Sequence, residues 1–321
     1  MTTGPLVSVV MSVYNSAGTL AATMDSVLTQ QGVSFEFIII DDGSTDGSGA
    51  ILDDYTRRDD RIRVIHQANT GLTRALIRGC AAARGNYIAR QDAGDASLPG
   101  RLARQVALLN DRPSAVFVTC GYDLVGPAGE LLTRVPPPAE ATAARWLTNT
   151  DPEALRGPHH GTVMFRRESY HRAGGYRPAY YYAQDLDLWT RLIALGDLAV
   201  VPDTLYRVAF TYDSITARHR QRQDQLRRLI AEAGALRLSG GDEAPVLAKA
   251  ARIGADRGPL DPGRRAAAAY FIGSCLADRR DARARGYLID AVKQHPFHLK
   301  AWFKLFRSLG FSAAGKGTMA S

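Results

Sequence analysis

The stretch Ile38–Gly47, IIIDDGSTDG, constrains the fold more than any other part of the sequence. The apolar run Phe37–Ile40 predicts a fully buried strand, and the Asp41-Asp42-Gly43-Ser44 that follows predicts a turn carrying two carboxylates. Ligands of open α/β sheets bind just beyond the carboxyl ends of the strands. The two acids are therefore expected where a ligand would bind.

Other interpretations of this stretch are weaker. A calcium loop would use oxygens of Asp42, Ser44, Asp46 and Asp53 around Gly47, but an isoleucine-rich strand precedes it instead of a helix. The Gly-x-Gly-x-x-Gly fingerprint of dinucleotide sites is not present. A phosphohydrolase would need Asp-x-Asp after the strand, where the chain has Asp-Asp-Gly. A hairpin turn with solvated acids stays open.

Strand-like and helix-like segments alternate through the first part of the chain. This alternation predicts an α/β fold with a doubly wound, mostly parallel sheet. The expected strands are Val7–Val13, Phe35–Ile40, Ile62–His66 and Tyr87–Ala89, and the expected helices are 19–30, 49–58 and 73–84.

Acidic residues recur after two further predicted elements. Asp92-Ala93-Gly94-Asp95 follows the strand Tyr87–Ala89, again at a strand end. In the segment Gln184–Leu192, Leu186, Trp189 and Leu192 have helical spacing and are expected to bury one side of a helix. Asp185 is then expected near the amino-terminal end of this helix, with its side chain directed away from the buried side.

Composition limits the class of protein. The 321 residues are 45% apolar and 22% charged, a balance typical of globular proteins. Residues 1–5 lack the features of a signal peptide, and no apolar run approaches the ~18 residues of a membrane span, so we expect a cytoplasmic protein. Cys80, Cys120 and Cys275 are odd in number and widely spaced, which favours reduced thiols over disulfides or zinc.

The second half of the chain is basic and helix-like. The net charge of +8 comes mainly from Arg-rich stretches, and because no nucleic-acid motif accompanies them, a membrane surface or an acidic substrate is the preferred partner. We expect a domain over 1–220 and a helical extension over 221–321, with weak tetratricopeptide-like spacing in Tyr270–Leu309. Aromatic residues at 302–311, interleaved with Lys and Arg, suggest docking at the inner face of the cell membrane, although packing of these residues on the preceding helices is the preferred interpretation.

Five segments, in order, resemble the inverting glycosyltransferases of family 2, which have the GT-A fold. They are VSVVMSVYN at Val7, IIIDDGSTDGS at Ile38, NTGL at Asn69, GNYIARQDAGD at Gly85 and QDLDLWTRL at Gln184. Together they span about two thirds of the chain. Each motif alone is weak, but five in the right order and approximate spacing are specific.

The resemblance implies roles for individual residues in binding the donor. Ser12 and Tyr14 would border the base and ribose, and Asp42 would accept a hydrogen bond from the nucleobase. Asp92 and Asp95 correspond to the family's Asp-x-Asp metal site, where Mg²⁺ or Mn²⁺ neutralises the diphosphate. Gly94 stands where the usual metal-binding acid would be, so the metal contact falls to Asp95 or Asp92.

The resemblance also implies a general base and an acceptor pocket. Asp185 would remove the proton from the acceptor hydroxyl, with Gln184 replacing the acid that usually precedes it. His160, Gln184 and Trp189 are candidates for contacts with the acceptor, and His159 beside His160 is a further one. Many relatives add a metal-binding histidine late in the domain, but the segment 206–216 contains none, and His219 lies a little beyond.

The implied activity is transfer of a sugar, as by a hexosyltransferase, from a nucleotide diphosphate sugar to a hydroxyl of a glycan or glycolipid, with inversion. A UDP-sugar is the expected donor, and polysaccharide biosynthesis at the cell envelope the expected context. The alternative is a non-catalytic module that binds nucleotide or glycan, in which Gly94 and Gln184 mark lost chemistry. Retention of Asp42, Asp92 and Asp185 argues against that alternative.

Overall fold

The computed structural model describes residues 4–211, 215–254 and 262–309, excluding the side chains of 215–218 and 262–264. The strands are β1 (Val7–Val13), β2 (Phe35–Asp41), β3 (Ile62–His66), β4 (Tyr87–Asp92), β5 (Ala96–Ser97), β6 (Ala115–Val125), β7 (Leu131–Val135), β8 (Met164–Arg166) and β9 (Asp197–Ala209). The helices are α1 (Ala17–Leu28), α2 (Ser48–Arg58), α3 (Leu72–Ala81), α4 (Arg101–Asp111), α5 (Glu140–Leu147), α6 (Arg167–Arg172), α7 (Gln184–Leu192), α8 (Ile215–Leu238), α9 (Ala244–Ala251), α10 (Pro262–Asp278), α11 (Ala284–Gln294) and α12 (Leu299–Ser308).

The first four strands form the parallel part of one sheet, whose order is β3-β2-β1-β4-β8-β6-β9-β5, with β7 paired to β6. The chain runs outward from β1 through β2 to β3 and then returns to place β4 on the other side of β1. This reversal of strand order opens a crevice at the carboxyl ends of β1 and β4. The predicted α/β fold with a doubly wound parallel core is confirmed.

Antiparallel strands complete the sheet beyond β4. Strand β8 pairs antiparallel with both β4 and β6, and the short β5 pairs antiparallel with β9. Because β8 runs opposite to β4, the residues that precede β8 lie beside the end of β4. β2 and β3 are parallel and joined through α2, which excludes the hairpin interpretation of the acidic turn.

The central strands are buried on both faces, as their continuous apolar runs require. Alternate residues of β1 contribute to two apolar clusters, with Val9 and Met11 in one and Val10 in the other. In β2, Ile39 belongs to the first cluster, and Ile38 to the second. This two-sided burial fixes the register of the strands whose ends carry the acids.

The chain divides into two compact units. Unit 1 comprises residues 1–122, 135–208 and 221–255, and unit 2 comprises 123–134, 209–220 and 256–321. The helices α8 and α9 thus fall largely in unit 1, so this division differs from the expected boundary at residue 220, which stays a prediction. In the part of the chain that the structure describes, no helix is both long and apolar enough to cross a bilayer.

Candidate active site

The crevice between β1 and β4 is bordered by residues that the sequence singled out. Ser12, near the end of β1, lies in register with Asp92, the last residue of β4. Ser12 is half-buried, and Tyr14, which follows β1, is 53% exposed. Asn15, in the loop after β1, has a φ of 50°. Its side-chain oxygen accepts a hydrogen bond at 2.8 Å from Thr45 N, which lies in the loop after β2. Ser12 and Tyr14, which were predicted to border the base and ribose of the donor, therefore lie at the carboxyl end of β1, and Tyr14 is open to solvent.

Two predicted acids and one histidine converge at the end of β4. Oxygen or nitrogen atoms of Asp92, Asp95 and His159 all lie within 4.8 Å of one another. Asp92 and Asp95 come from one turn, whereas His159 precedes β8. The structure thus brings the two predicted metal ligands together and adds a histidine that was expected only in the acceptor pocket.

The turn that carries Asp95 is anchored to α1. Thr23 is 1% exposed; its hydroxyl donates to the carbonyl oxygen of Asp95 at 2.8 Å and accepts from Gly94 N at 3.0 Å. Gly94 has a φ of 98°, a conformation that L-residues rarely adopt. The glycine at this position therefore fits a backbone conformation that an acidic residue would adopt only with strain.

A fully buried arginine orients Asp92. Arg90 donates to a carboxylate oxygen of Asp92 at 2.7 Å, to His160 Nε2 at 3.0 Å and to the carbonyl of Val10. Burial opposes ionisation of Asp92, but the charge of Arg90, with a smaller contribution from Arg101, outweighs it and holds the pKa of Asp92 below its usual range. Asp92 is therefore an anion at neutral pH.

His160 is buried and supports Arg90. It is 7% exposed, and its Nε2 lies 2.8 Å from the hydroxyl of Tyr176 as well as 3.0 Å from Arg90. Burial, reinforced by the charge of Arg90, lowers the pKa of His160 to about 3. The ring is therefore neutral, and Nε2 accepts from both neighbours. The predicted contact of His160 with an acceptor is not supported by this arrangement.

His159 is held at the start of a short 3₁₀ helix over His160–Thr162. Its Nδ1 accepts from Gly161 N at 3.3 Å, and a Cβ at Gly161 would lie 2.3 Å from the hydroxyl oxygen of Tyr206. That hydroxyl in turn accepts from Asp92 N at 3.1 Å. Only glycine lets the histidine turn approach the end of β4 this closely. Burial lowers the pKa of His159, with Asp92 partly opposing it, so the imidazole is neutral. Because a neutral imidazole has a single nitrogen lone pair, the ring must give up the hydrogen bond from Gly161 N to bind a cation.

Asp185 lies in the first turn of α7, as predicted, and is half-buried. Its carboxylate accepts from Leu186 N at 2.9 Å. Burial raises the pKa of Asp185 to about 6, and the negative charge of Asp92 adds to this against the opposing hydrogen bonds and Arg90. A carboxyl with this pKa is a competent general base at neutral pH.

Asp42 has a different environment from the one predicted. It is 2% exposed, and its carboxylate accepts from Gln67 Nε2 at 2.7 Å, from Thr70 N at 2.9 Å and Oγ1 at 3.2 Å, and from Gly71 N at 2.8 Å. Three of these hydrogen bonds reach Oδ1 and one reaches Oδ2. Asp42 thus clamps the loop between β3 and α3, and its hydrogen bond to a nucleobase stays a prediction.

Two further predicted acceptor contacts are also not supported. Trp189 is fully buried, with its ring stacked on Phe117 at 5.8 Å between centroids. Gln184 is 5% exposed, and its Oε1 is buried without a hydrogen-bond partner. Gln184 is adjacent to Asp185 and points about 100° away from it around the helix axis. Trp189 lies one helical turn after Asp185, but its ring is packed inside the apolar cluster.

The donor set at the end of β4 suits a divalent cation. Two carboxylates and a neutral imidazole match Mn²⁺, whereas Mg²⁺ prefers oxygen ligands and keeps more of its water. The position of His159 follows from the sheet topology. Because β8 is antiparallel to β4, the residues that lead into β8, including His159, lie next to the last residues of β4. The sequence pattern predicted β4 but not its pairing with β8.

Comparison with known proteins identifies the family. The model of glycosyl transferase family 2 matches residues 8–174. EpsE of Bacillus subtilis is 35% identical over 227 residues, which are 68% of this chain and 78% of EpsE. Two solved structures share the fold at low identity. TarS of S. aureus in complex with UDP-GlcNAc has a TM-score of 0.55 and 14% identity, over 93% of this chain and 89% of that one.

The mannosyltransferase PcManGT of Pyrobaculum calidifontis, in complex with GDP-Man and Mn²⁺, has a TM-score of 0.55 and 18% identity, over 96% of this chain and 87% of that one. The family model covers more than half of the sequence, including both predicted acids of the β4 turn and His159. The chain therefore belongs to glycosyl transferase family 2.

Proposed function

We propose that the protein transfers a hexose from a nucleotide diphosphate sugar, preferably a UDP-sugar, to a hydroxyl group of a glycan or glycolipid, with inversion. Family membership supports glycosyl transfer as the activity. The observation that carries the finer proposal is the cluster of Asp92, Asp95 and His159 together with Asp185, whose pKa is raised partly by the charge of Asp92. Nucleotide-sugar complexes of TarS and PcManGT support the donor class.

In this proposal, Asp92, Asp95 and His159 hold a divalent cation, preferably Mn²⁺, on the donor diphosphate. Such a cation supplies positive charge that stabilises the departing diphosphate. Arg90, buried behind Asp92, keeps that carboxylate ionised and fixes its direction. Asp185 accepts the proton of the acceptor hydroxyl, whose oxygen attacks the anomeric carbon opposite the leaving group. A single displacement of this kind inverts the anomeric centre.

The proposal is tested by measuring nucleotide release from a panel of UDP- and GDP-sugars, with Mn²⁺, Mg²⁺ or chelator. We expect turnover to require the cation and Asp185→Asn to lose most of it, while the thermal stabilisation by UDP and Mn²⁺ persists. Stabilisation without turnover of any donor would favour the non-catalytic binding module instead.

The metal site has its own readout in calorimetry of UDP and Mn²⁺ binding. His159→Ala and Asp95→Asn should each weaken binding by at least about tenfold, the scale seen even for groups that only support a ligand. His171→Ala replaces an exposed histidine on α6 and is the matched control. Unchanged Mn²⁺-dependent binding in His159→Ala would remove the histidine from the site.

A further inference from the structure

Helix α12 is amphipathic, and its outer face is apolar. Ala301 and Ser308 are fully buried and Leu305 packs on the apolar cluster of unit 2, so these residues define the inner face. The outward apolar side chains are Leu299 (79% exposed), Phe303 (62%), Phe306 (65%) and Leu309 (62%), with Phe297 (86%) just before the helix. We call these five residues the α12 face. They bury little against the described part of the chain.

The aromatic rings near this face are arranged next to cations. Trp302 stacks on Phe306 with 5.9 Å between centroids, and the guanidinium of Arg307 lies 5.7 Å from the centre of the Phe303 ring. Lys304 points inward to Asp278 at 2.7 Å, whereas Lys300 and Arg307 are exposed. Aromatic rings with a basic border are typical of helices that lie at the boundary between lipid headgroups and acyl chains.

Charge around the α12 face is strongly one-sided. Between Asp278 and Leu309 the chain has eight Lys or Arg residues and three Asp residues, so this segment contributes five of the eight net positive charges of the protein. After Asp290 the sequence contains no Asp or Glu. Basic residues close to a bilayer that contains anionic lipid are attracted to its surface. The segment is therefore complementary in charge and polarity to a surface that has negative charges on the outside and an apolar layer directly below them.

Two other occupants fit less well. A second copy of the chain would place the same basic segment against itself, and like charges across an interface are unfavourable. Single-stranded nucleic acid would stack bases on the aromatic rings, but Leu299 and Leu309 offer no ring for stacking. A lipid surface uses aliphatic and aromatic side chains alike.

We propose that the α12 face docks the protein onto a bilayer containing anionic phospholipid, with its exposed leucines and phenylalanines at the acyl boundary and Lys300 and Arg307 at the headgroups. This contact involves no residue of the site at the end of β4. It would place a lipid-linked acceptor and the enzyme on the same surface, but it does not depend on the reaction.

The test is flotation of the full chain with vesicles of phosphatidylcholine, with and without phosphatidylglycerol. We expect binding only to the anionic vesicles, weakened by salt, and reduced at least tenfold by the pair Phe303→Ser and Phe306→Ser and by Lys300→Glu. The matched controls are Leu238→Ser, which replaces an exposed leucine of unit 1, and Arg63→Glu, which reverses an exposed charge on β3. Both should bind like the parent protein.

Several results would overturn the proposal. These are equal binding to neutral vesicles, unchanged binding by the Phe303 and Phe306 variant, or a dimer in light scattering that this variant converts to a monomer. Displacement of vesicles from the parent chain by a single-stranded oligonucleotide would assign the face to nucleic acid. Turnover of a soluble donor, measured in parallel, shows whether the proposed activity holds independently of this contact.

Discussion

Asp185 is a carboxyl group whose ionisation is opposed by its surroundings, and this sets the pH dependence of the proposed reaction. Burial raises its pKa to about 6, so the fraction of basic carboxylate falls as pH drops through 6. We expect kcat/KM to be level above pH 7 and to fall about tenfold for each unit below 6. The measurement is the pH profile of donor turnover at saturating metal. A profile that breaks near the ordinary aspartate pKa would contradict the proposed environment.

The same shift has a consequence for stability that serves as a control. Because the pKa of Asp185 is higher in the folded than in the unfolded chain, the ionised group destabilises the fold above pH 6, and the penalty vanishes below the unfolded pKa. Asp185→Asn should therefore stabilise the protein at pH 8 by up to about 3 kcal/mol. The gain in urea unfolding should shrink as pH falls from 6 to 4. Activity and stability would then move in opposite directions at one residue.

Position 94 requires glycine because of its backbone conformation and not because space for a side chain is lacking. A Cβ at this position would meet only the hydroxyl of Thr19, at 3.6 Å, but φ is 98°. We expect Gly94→Ala to lower the free energy of unfolding by about 1–2 kcal/mol, the cost of a left-handed conformation for an L-residue. Gly18→Ala, in the first turn of α1 with open space around it, is the control and should be neutral or stabilising. Equal stability of both variants would show that the turn relaxes freely.

At the scale of single residues, the sequence predicted acids better than their partners. Asp92 was recognisable because it comes at the end of a clear strand, and Asp185 because it lies in the first turn of a clear helix. The role of His159 required the pairing of β8 with β4, and the clamp formed by Asp42 required the path of the loop before α3. Both depend on tertiary contacts between segments far apart in the chain, which local patterns do not encode.

The loop Asn69–Gly71 is an element held from two sides. Asp42 binds the backbone N–H groups of Thr70 and Gly71, and the Tyr181 ring packs so close to Gly71 that a Cβ there would lie 2.4 Å from the tyrosine oxygen. Tyr181 lies just before the helix α7 that carries Asp185. The loop thus joins the carboxyl end of β2 to the segment that leads into the candidate base.

We expect Asp42→Ala to release this loop, because the buried N–H of Gly71 loses its acceptor, at a cost of about 1–3 kcal/mol, and the partly buried N–H of Thr70 loses its acceptor as well. Hydrogen exchange of the Thr70 and Gly71 amides should accelerate markedly, while the amides of β1 stay protected. Asp60→Ala, which removes an exposed acid before β3, is the control. If the Thr70 and Gly71 amides kept their protection, Asp42 would be free for another role, including the nucleobase contact.

The elements themselves followed from sequence where periodicity was regular. Strand β3 was predicted at its observed bounds, and α2 within one residue. Strand β4 extends to Asp92, three residues beyond its predicted end, because Arg90 and Gln91 are buried polar residues that break the apolar pattern. Such buried polar groups are compensated by specific hydrogen bonds, here to Asp92, His160 and Ser97, and these partners are invisible in a local window.

On the scale of the whole chain, helices α8 and α9, most of which lie beyond the predicted boundary at residue 220, contribute to unit 1. Leu226 and Ile230 of α8 are 1% exposed and pack in one apolar cluster with Tyr180 and Tyr182. Glu243 adds ion pairs to Arg177 at 2.8 Å and to Arg237 at 2.8 Å. The segment that leads into Asp185 is thus covered by residues that the predicted boundary would assign to another domain.

A chain ending at residue 220 should therefore fail to form a stable catalytic unit. It loses the partners of Tyr180 and Tyr182, and removing a single buried leucine or isoleucine typically costs about 2–5 kcal/mol out of a total of about 5–15 kcal/mol. A chain ending at residue 255 keeps that cluster and should melt cooperatively and be stabilised by UDP with Mn²⁺. In the full chain, Leu226→Ala should cost about 2–5 kcal/mol, whereas Leu238→Ala, at a position 79% exposed, should be nearly neutral. Cooperative melting of the 220-residue chain with undiminished UDP binding would instead restore the boundary at residue 220 and leave the cluster as packing without consequence for the site.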